Sequence, residues 1–391
     1  MSDTQIVIVG AGVIGLSLAY ELSGRGARVV VLDRGEPGRA CSWAGAGILT
    51  PARAAGARRA IDRLRAASHE RIERWSAELL AATGIDNEYR RCGALELALT
   101  PAELPALERA AADWREQGVA IAEVTAAELT KLEPALTPGL ARAYLLPDGA
   151  QIRNPRHLRA LVAGCRQRGV EVRAGAEVTG FETLAGGEGG RVAAVVIGGG
   201  QERIRGDAFV AAGGAWSAAL LAAAGVEVAV RPVRGQIVLL HPPLEAMPLL
   251  HRVLWRGSRY LVPRLDGRVL VGSTEEEAGF DAVPTAAGVA GLLELALAVA
   301  PGLAAAPFER AWAGLRPGSV DGLPYLGAAP GFANLYVAAG HFRAGFELSA
   351  GTALVMAELI LGAAPSVPLA DFRPDRTSAA GGEASHSPVH G

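Results

Sequence analysis

Three glycines near the start of the chain, Gly10, Gly12 and Gly15, have the spacing GxGxxG. In nucleotide-binding proteins such glycines make a tight turn, let the backbone approach a pyrophosphate and permit close helix–strand packing. The N-terminus of the following helix would offer N–H groups and the positive end of its dipole to the phosphates. Asp33 would accept hydrogen bonds from ribose hydroxyls, which favours FAD or NAD over NADP. The neighbouring Arg34 weakens that preference slightly.

The residues around these glycines predict a complete βαβ unit. Gln5–Val9 (QIVIV) is a short apolar, β-branched run typical of a buried parallel strand. The apolar spacing over 16–24 predicts a helix, and RVVVLD at 28–33 predicts a second strand that ends in the acid. GxGxxG alone is a weak signal. In this context a glycine turn without a ligand is the weaker interpretation.

Two further segments favour a flavin over a nicotinamide cofactor. A nicotinamide enzyme normally places a proton-handling His, Tyr or Lys beside its hydride acceptor, and the sequence has no clear pattern of that kind. Instead, residues 35–56 are rich in Gly, Ala and small polar residues, which predicts a loop, and they include a second glycine-rich stretch at 41–49. A short strand predicted at 335–339 leads into a site-like loop that extends to 346. A long cofactor that touches the protein at several distant places would explain all three segments.

Composition and charge limit the classes of protein to which this chain can belong. A chain of 391 residues suggests two domains. With 50% hydrophobic and 20% charged residues, it is typical of a globular protein rather than a disordered one. A formal net charge of −2 provides no basic field for nucleic acid or anionic membranes. We therefore expect no nucleic-acid partner.

Cysteines and apolar runs bear on metals and location. Cys41, Cys92 and Cys165 lie far apart without a CxxC pair, which argues against a zinc site or a disulfide framework. No signal peptide and no apolar run of membrane length stand out in the sequence. We therefore expect no bound metal, no integral membrane segment and a cytoplasmic location.

In several segments the sequence resembles the D-amino acid oxidase superfamily of flavoproteins, and most of all its glycine oxidase type, the ThiO type of thiamine biosynthesis. The resemblance covers residues 5 to about 372, and its last two segments are the most specific in order and spacing. The segments that carry it are IVIVGAGVIG (6–15), VVVLDR (29–34), SWAGAGIL (42–49), RPVRGQIV (231–238), RYLVPRLDGRVLVGST (259–274), WAGLRPGSVDGLPYLG (312–327) and YVAAGHFRAG (336–345).

The resemblance implies a fold of the α/β (α+β) class. A Rossmann-like FAD-binding domain would be interleaved with an antiparallel-sheet substrate domain, in agreement with the β-rich middle of the chain. The expected FAD-binding domain comprises residues 1–85, 145–220 and 310–372, and the substrate domain comprises 86–144 and 221–309. Residues 373–391 are rich in Ser, Gly, Ala and Pro and predict a disordered tail.

The resemblance also implies which positions hold FAD. No cysteine follows Cys165, so the covalent cysteinyl link of sarcosine oxidase relatives has no support, and we expect non-covalent FAD. Beside the three glycines, the matching positions are Val13, Ile14, Asp33 and Arg34 around the ADP part, Cys41, Ser42, Ala46, Gly47 and Ile48 along the cofactor, Val178 at the adenine through its backbone, and His341, Phe342, Arg343, Ala344, Gly345 and Phe346 around the ribityl chain and pyrimidine edge.

Three residues match the family's substrate site. Arg316, in GLRP, matches the arginine that pairs with the substrate carboxylate, whose two oxygens fit the guanidinium fork. Tyr260 matches a pocket tyrosine, and Arg343 matches a second arginine near the flavin. The alternatives are a surface ion pair for Arg316, core packing for Tyr260 and a structural role for Arg343. For His341, a neutral ring bonded to backbone is favoured over catalysis.

Two positions depart from the family's pattern. Asp33 stands where many relatives carry glutamate, and its shorter side chain could still reach the ribose. Glu275 begins the run EEE at 275–277, where relatives often have an apolar pocket residue. It would either face the pocket or belong to a solvated acidic run, and we favour the second interpretation.

The implied reaction is FAD-dependent oxidation of glycine, with sarcosine and small D-amino acids as further candidates. Hydride would pass from the α-carbon to flavin N5, and molecular oxygen would then accept the electrons. The products would be an imino acid, ammonia and hydrogen peroxide, and the imine from glycine would suit thiazole assembly. The alternatives are a D-amino acid dehydrogenase with another electron acceptor and a flavin-binding partner of a thiazole-forming complex. The oligomeric state, homo-oligomer included, stays open.

Overall fold

The computed structural model describes residues 4–184, 189–243, 245 and 247–376. Its first sheet has six strands: β1 (Gln5–Val9), β2 (Arg28–Leu32), β8 (Glu171–Arg173), β12 (Ala208–Ala211), β18 (Tyr325–Ala328) and β19 (Leu335–Ala339). Their order is β18-β19-β12-β1-β2-β8. All neighbouring pairs are parallel except β18 with β19. An open, mostly parallel sheet of this kind is typical of dinucleotide-binding domains.

Both faces of this sheet are covered, which explains the uninterrupted apolar run of β1. Ile6 and Ile8 face one core, and Val7 and Val9 face another. The first core contains residues of four helices: α1 (Val13–Gly24), α3 (Ala60–Thr83), α6 (Asn154–Gln167) and α9 (Ser349–Ile360). The second contains residues of α7 (Ser217–Ala222) and of a three-stranded sheet formed by β9 (Val178–Leu184), β10 (Arg191–Ile197) and β11 (Glu202–Arg205).

The second large sheet has eight strands: β4 (Ala94–Ala98), β5 (Ala122–Glu123), β6 (Arg142–Leu146), β13 (Val230–Leu240), β14 (Val253–Arg256), β15 (Arg259–Pro263), β16 (Val269–Gly272) and β17 (Phe308–Ser319). Their order is β17-β13-β16-β15-β14-β4-β6-β5. The remaining elements are α2 (Cys41–Ala44), α4 (Leu104–Glu116), α5 (Ala126–Leu132), α8 (Ala286–Val299) and the paired strands β3 (Ile48–Leu49) and β7 (Ala150–Gln151).

The predicted fold class is confirmed, but three local expectations differ from the structure. β17 pairs with β13 from Phe308 to Ser319, so the predicted domain boundary at 310 falls inside a strand of the second sheet. The pairing of β14 with β4 is parallel within an otherwise antiparallel sheet. Residues 35–56, expected to be loop, contain α2 and β3 because both pack against other elements. Propensity read along the sequence cannot reveal such distant pairing.

The first residues of the predicted tail are fixed in the structure. The Arg376 guanidinium donates to the Asp321 carboxylate at 2.7 Å and lies 3.9 Å above the centre of the Tyr325 ring. The disordered-tail prediction is therefore wrong for 373–376, and its remainder, 377–391, lies outside the described residues. Within the described part of the chain, no helix is both long enough and apolar enough to cross a bilayer.

A buried ionic cluster joins α3 to the loop that precedes α9. The side chains of Arg65 and Glu347 are only 6% and 1% exposed, and Arg65 Nε donates to Glu347 Oε1 at 3.1 Å. Arg65 Nη1 also donates to Asp62, while the backbone N–H and the hydroxyl of Thr50 donate to the second oxygen of Glu347. Because Glu347 follows directly after Phe346, this cluster fixes one end of the loop predicted to cradle the flavin.

We expect Glu347→Ala to lower the free energy of unfolding by about 3–5 kcal/mol, because it removes one of the two buried carboxylates that pair with the buried Arg65 guanidinium. Chemical denaturation measures this change. Glu73→Ala, which removes an exposed ion pair with Arg91, serves as the control and should cost less than about 1 kcal/mol. Equal losses in the two variants would contradict the proposed anchoring role of the cluster.

Candidate active site

A cleft lies between the two large sheets and contains about 950 Å³ of space not filled by protein atoms, which includes space open to solvent. One wall carries the start of α1 and the segment from Cys41 to Ile48. The other carries β13, β15 and β17, and the loop 341–346 borders both. The predicted site residues on its lining are Gly12, Val13, Ile14, Cys41, Ser42, Ala46, Gly47, Ile48, Tyr260, Arg316, His341, Phe342, Arg343, Gly345 and Phe346.

The three glycines of the turn have two different reasons to be glycine. A Cβ on Gly10 would lie 2.2 Å from the Ala212 oxygen, and one on Gly15 would lie 1.9 Å from the Gly10 oxygen. These two are required by protein packing. At Gly12 the nearest protein atom would be Ser42 Oγ at 3.3 Å, and Gly12 lines the cleft. Its missing side chain therefore leaves room for a ligand.

Asp33 and Arg34 lie beside the cleft rather than on its lining. Asp33 accepts hydrogen bonds from the backbone N–H groups of Ala11 at 2.7 Å and Gly35 at 2.8 Å, which fixes the glycine turn. The Arg34 guanidinium lies 3.9 Å above the centre of the Trp216 ring. The ribose role of Asp33 stays a prediction. The other predicted positions outside the lining are Gly10, Gly15, Val178 and Ala344.

The segment predicted to run along the cofactor is tied to α1 and α6. Val13 N donates to Ser42 Oγ, and Asn154 Nδ2 donates to the Ser42 carbonyl, both at 2.9 Å. The other amide atom, Asn154 Oδ1, is buried without a hydrogen-bond partner within the described residues, and Asn154 lines the cleft. Removal from water raises the pKa of the Cys41 thiol to about 11, although the charge of Arg316 opposes this. Cys41 is therefore neutral at pH 7.

The loop 341–346 begins with a buried histidine. His341 Nε2 lies 3.1 Å from Thr352 Oγ1, and burial lowers the pKa of His341 to about 3. The ring is therefore neutral, as predicted from the sequence, and its partner within the described residues is a side chain rather than backbone. Phe342 adopts a φ of 49°, a left-handed conformation that is uncommon for residues other than glycine and is often found at ligand sites.

Arg316 lies on β17, and its side chain passes over Gly235 of the neighbouring strand β13. Its Nη1 donates to the Thr274 carbonyl at 3.0 Å, and its Nη2 donates to Ser273 Oγ at 2.6 Å. A Cβ on Gly235 of β13 would lie 2.3 Å from both terminal nitrogens. These contacts fix the guanidinium on the cleft wall. Because a guanidinium has five N–H groups, it keeps others to bind an anion.

Tyr260 and Arg343 complete this part of the wall. A Cβ on Gly272 would lie 2.7 Å from the Tyr260 hydroxyl oxygen, so the ring also lies across a glycine of the adjacent strand. Arg343 Nη2 donates to the Ser258 carbonyl at 2.6 Å. Burial and the charge of Arg316 lower the pKa of Arg343. Two cations therefore lie near one another, as expected where an anion binds.

Glu275 lies at the edge of the cleft. Its carboxylate is 46% exposed, as the favoured interpretation expects, and it is not among the lining residues. It also accepts a hydrogen bond from Arg343 Nη1 at 3.1 Å, so it contacts a residue of the lining. Glu276 is paired with Arg234, and only Glu277 has a largely exposed partner, Arg231. Three adjacent glutamates thus have three different arginine partners, which sequence pattern alone cannot distinguish.

The cleft fits FAD on the evidence of its own residues. Gly12 leaves open space where the helix begins, and Asn154 presents an acceptor that has no partner within the described residues. Gly, Ala, Val and Ile supply much of its lining, which suits an aromatic cofactor. Within the described residues no group of three or more His, Cys, Asp or Glu side chains could hold a metal.

Sequence reasoning missed Gly235 and Asn154 as residues of the cleft. A signal for Gly235 was present, since an isolated glycine inside a strand pattern often marks a close approach of another group. Asn154 had no such signal. Its position depends on how α6 packs beside α2.

We expect Gly12→Ala to keep the stability of the cofactor-free protein within about 1 kcal/mol while it weakens FAD binding by roughly tenfold or more, because its Cβ would enter the cleft. Flavin fluorescence titration measures the affinity, and thermal unfolding measures the stability. Gly15→Ala is the contrast, since its Cβ meets backbone and should destabilise the fold itself. If Gly12→Ala binds FAD like the wild type, this wall does not contact the cofactor.

Comparisons with known proteins agree with this cleft. The family described as "DAO: FAD dependent oxidoreductase" matches residues 5–359. A glycine oxidase of Pseudomonas putida is 37% identical over 372 residues, which cover 95% of this chain and 98% of that protein. A "Bifunctional protein ThiO/ThiG" of Trichormus variabilis is 33% identical over 91% of this chain and 52% of its own length.

A solved structure extends the likeness to the fold. The crystal structure of glycine oxidase from Geobacillus kaustophilus superimposes with a TM-score of 0.86 at 32% identity and covers 96% of this chain and 100% of that chain. The predicted resemblance and the FAD cofactor are thereby confirmed. This chain belongs to the DAO family of FAD-dependent oxidoreductases.

Proposed function

We propose that this FAD-dependent enzyme oxidises glycine, with sarcosine and small D-amino acids as further substrates, and passes the electrons to molecular oxygen. One observation carries the proposal: the Arg316 guanidinium is fixed on the wall of the cofactor cleft by Thr274 and Ser273. A carboxylate bound there would place an amino acid inside the cleft. The names of the relatives, glycine oxidases among them, support glycine as the first substrate to test.

The residues of the pocket bind and orient rather than exchange protons. Arg316 would bind the carboxylate through two parallel hydrogen bonds, and the Tyr260 hydroxyl would add a third contact. His341 and Cys41 are held neutral by burial, so neither supplies a strong base at pH 7. The substrate would react with its amine neutral, and FAD, when bound, supplies the acceptor for the hydride.

The imino acid product would hydrolyse to an oxo acid and ammonia, or leave for a second enzyme. The fusion named ThiO/ThiG in the relative from Trichormus variabilis supports delivery of the imine to a thiazole-forming partner.

Oxygen uptake by the purified holoenzyme with glycine tests the activity. Uptake with an equivalent amount of hydrogen peroxide is the expected result. Bleaching of the flavin by glycine without air, combined with no uptake under air, would instead indicate a dehydrogenase with another acceptor. No bleaching would show that glycine is not the substrate.

We expect Arg316→Ala to lower kcat/KM for glycine by about 100-fold or more, because the carboxylate loses a charged bidentate partner inside the cleft. Tyr260→Phe should cost about tenfold or less, since it removes one neutral hydrogen bond. Steady-state oxygen uptake measures both. Arg231→Ala on β13, whose side chain is exposed and paired with Glu277, is the matched control. If Arg316→Ala behaves like this control, Arg316 is not the anchor.

A further inference from the structure

An ion pair joins the loop of the cofactor cleft to the second sheet. The Arg343 side chain, only 7% exposed, lies 3.1 Å from the Glu275 carboxylate, which is 46% exposed. Arg343 also donates to the Ser258 carbonyl. Residues 258 and 275 flank the strands β15 and β16, whereas Arg343 follows β19 of the first sheet. The pair therefore closes a contact between the two sheets beside Arg316.

Two arginines supply the positive charges that face this pocket. Among the described residues on its lining, the ionisable groups are Arg316, Arg343, Tyr260, Cys41 and His341. Burial keeps Cys41 and His341 neutral at pH 7. Two positive charges thus remain on the lining. Glu275, which lies outside the lining and is 46% exposed, pairs with Arg343. Arg316, by contrast, has no carboxylate partner among the described residues.

One guanidinium without a carboxylate partner matches a ligand with a single carboxylate. An amino acid with a neutral amine and a single carboxylate is such a ligand. A dicarboxylate would have to bring its second carboxylate to Arg343, where Glu275 is already bound, and bringing like charges together in this way weakens binding. The other two glutamates of the run are paired with Arg234 and Arg231 and do not contribute here.

We propose that Glu275 determines substrate charge: by occupying Arg343 it makes the pocket select amino acids with one carboxylate over those with two. This selectivity rests on the proposed function, because it concerns the same pocket and the same anchor, Arg316. Glu275 acts through Arg343 and is thus a positioning residue. Its removal should open the pocket to compounds such as iminodiacetate, which carries two carboxylates on one amine.

Anion binding tests this proposal without turnover. The holoenzyme is titrated with acetate and with malonate, and the change in the flavin absorption spectrum gives the two Kd values. In Glu275→Gln and Glu275→Ser, the ratio of the acetate Kd to the malonate Kd should rise at least about tenfold over the wild type. Glu275→Asp should restore much of the wild-type ratio. Glu277→Gln, which removes an equal charge from the same run, should leave the ratio unchanged.

Substrate kinetics provide the second readout. In Glu275→Gln, the kcat/KM for iminodiacetate relative to glycine should rise by a similar factor, mainly through a lower KM for iminodiacetate. Equal changes in the acetate and malonate Kd values would mean that Glu275 only supports the structure and would overturn the proposal. So would a ratio that shifts as much in Glu277→Gln.

The two proposals can fail separately. If the wild type oxidises glycine but the anion ratio is the same in all variants, the function stands and the role of Glu275 is refuted. If the wild type leaves glycine unchanged but the ratio shifts as described, the charge selection stands and the glycine assignment fails.

Discussion

Two guanidinium groups of like charge, those of Arg316 and Arg343, lie near each other at the candidate site, and the fold must hold them there against their repulsion. It does so with oxygen atoms from one stretch of the second sheet: Ser273 and Thr274 for Arg316, and Ser258 and Glu275 for Arg343. The repulsion and the burial together lower the pKa of Arg343. A bound carboxylate relieves that repulsion, so the same arrangement that strains the empty pocket favours an anionic ligand.

The close approach of these side chains to the sheet depends on a glycine in each neighbouring strand. Arg316 lies across Gly235, and Tyr260 lies across Gly272, each on the neighbouring strand. A β-sheet normally keeps side chains perpendicular to its plane. Here glycine lets a long side chain lie flat, so that its polar end is presented to the cleft while its length covers the backbone. The sheet thus serves as a platform rather than as a source of projecting groups.

Local features of the site were predictable from sequence, and distant pairings were not. The glycine turn, β1, β2 and β19 follow from periodicity within short windows, and Gln5–Val9 and Leu335–Ala339 have the predicted bounds. Arg316 was found through its motif, but the strand that carries it pairs with residues about eighty positions earlier and gives no local signal. The contact of Glu275 with Arg343 was missed for the same reason, since the two residues are 68 positions apart. The assigned roles of the site residues in binding stay predictions.

The parallel pairing of β14 with β4 has a consequence for how the chain folds. Leu95 faces Leu254 across that pair, and β17 must be added before the sheet that carries Arg316 is complete. The first sheet also joins residues that are far apart in the sequence, because β12 pairs on one side with β1 and on the other with β19. Neither sheet has all its strands before most of the chain has left the ribosome. Contacts between residues so far apart in the sequence make folding slow. Both sheets should therefore be completed late in synthesis. A fragment that ends before β19 would keep Arg316 but lack β19, the loop 341–346 and Arg343, and so could not complete the cofactor cleft.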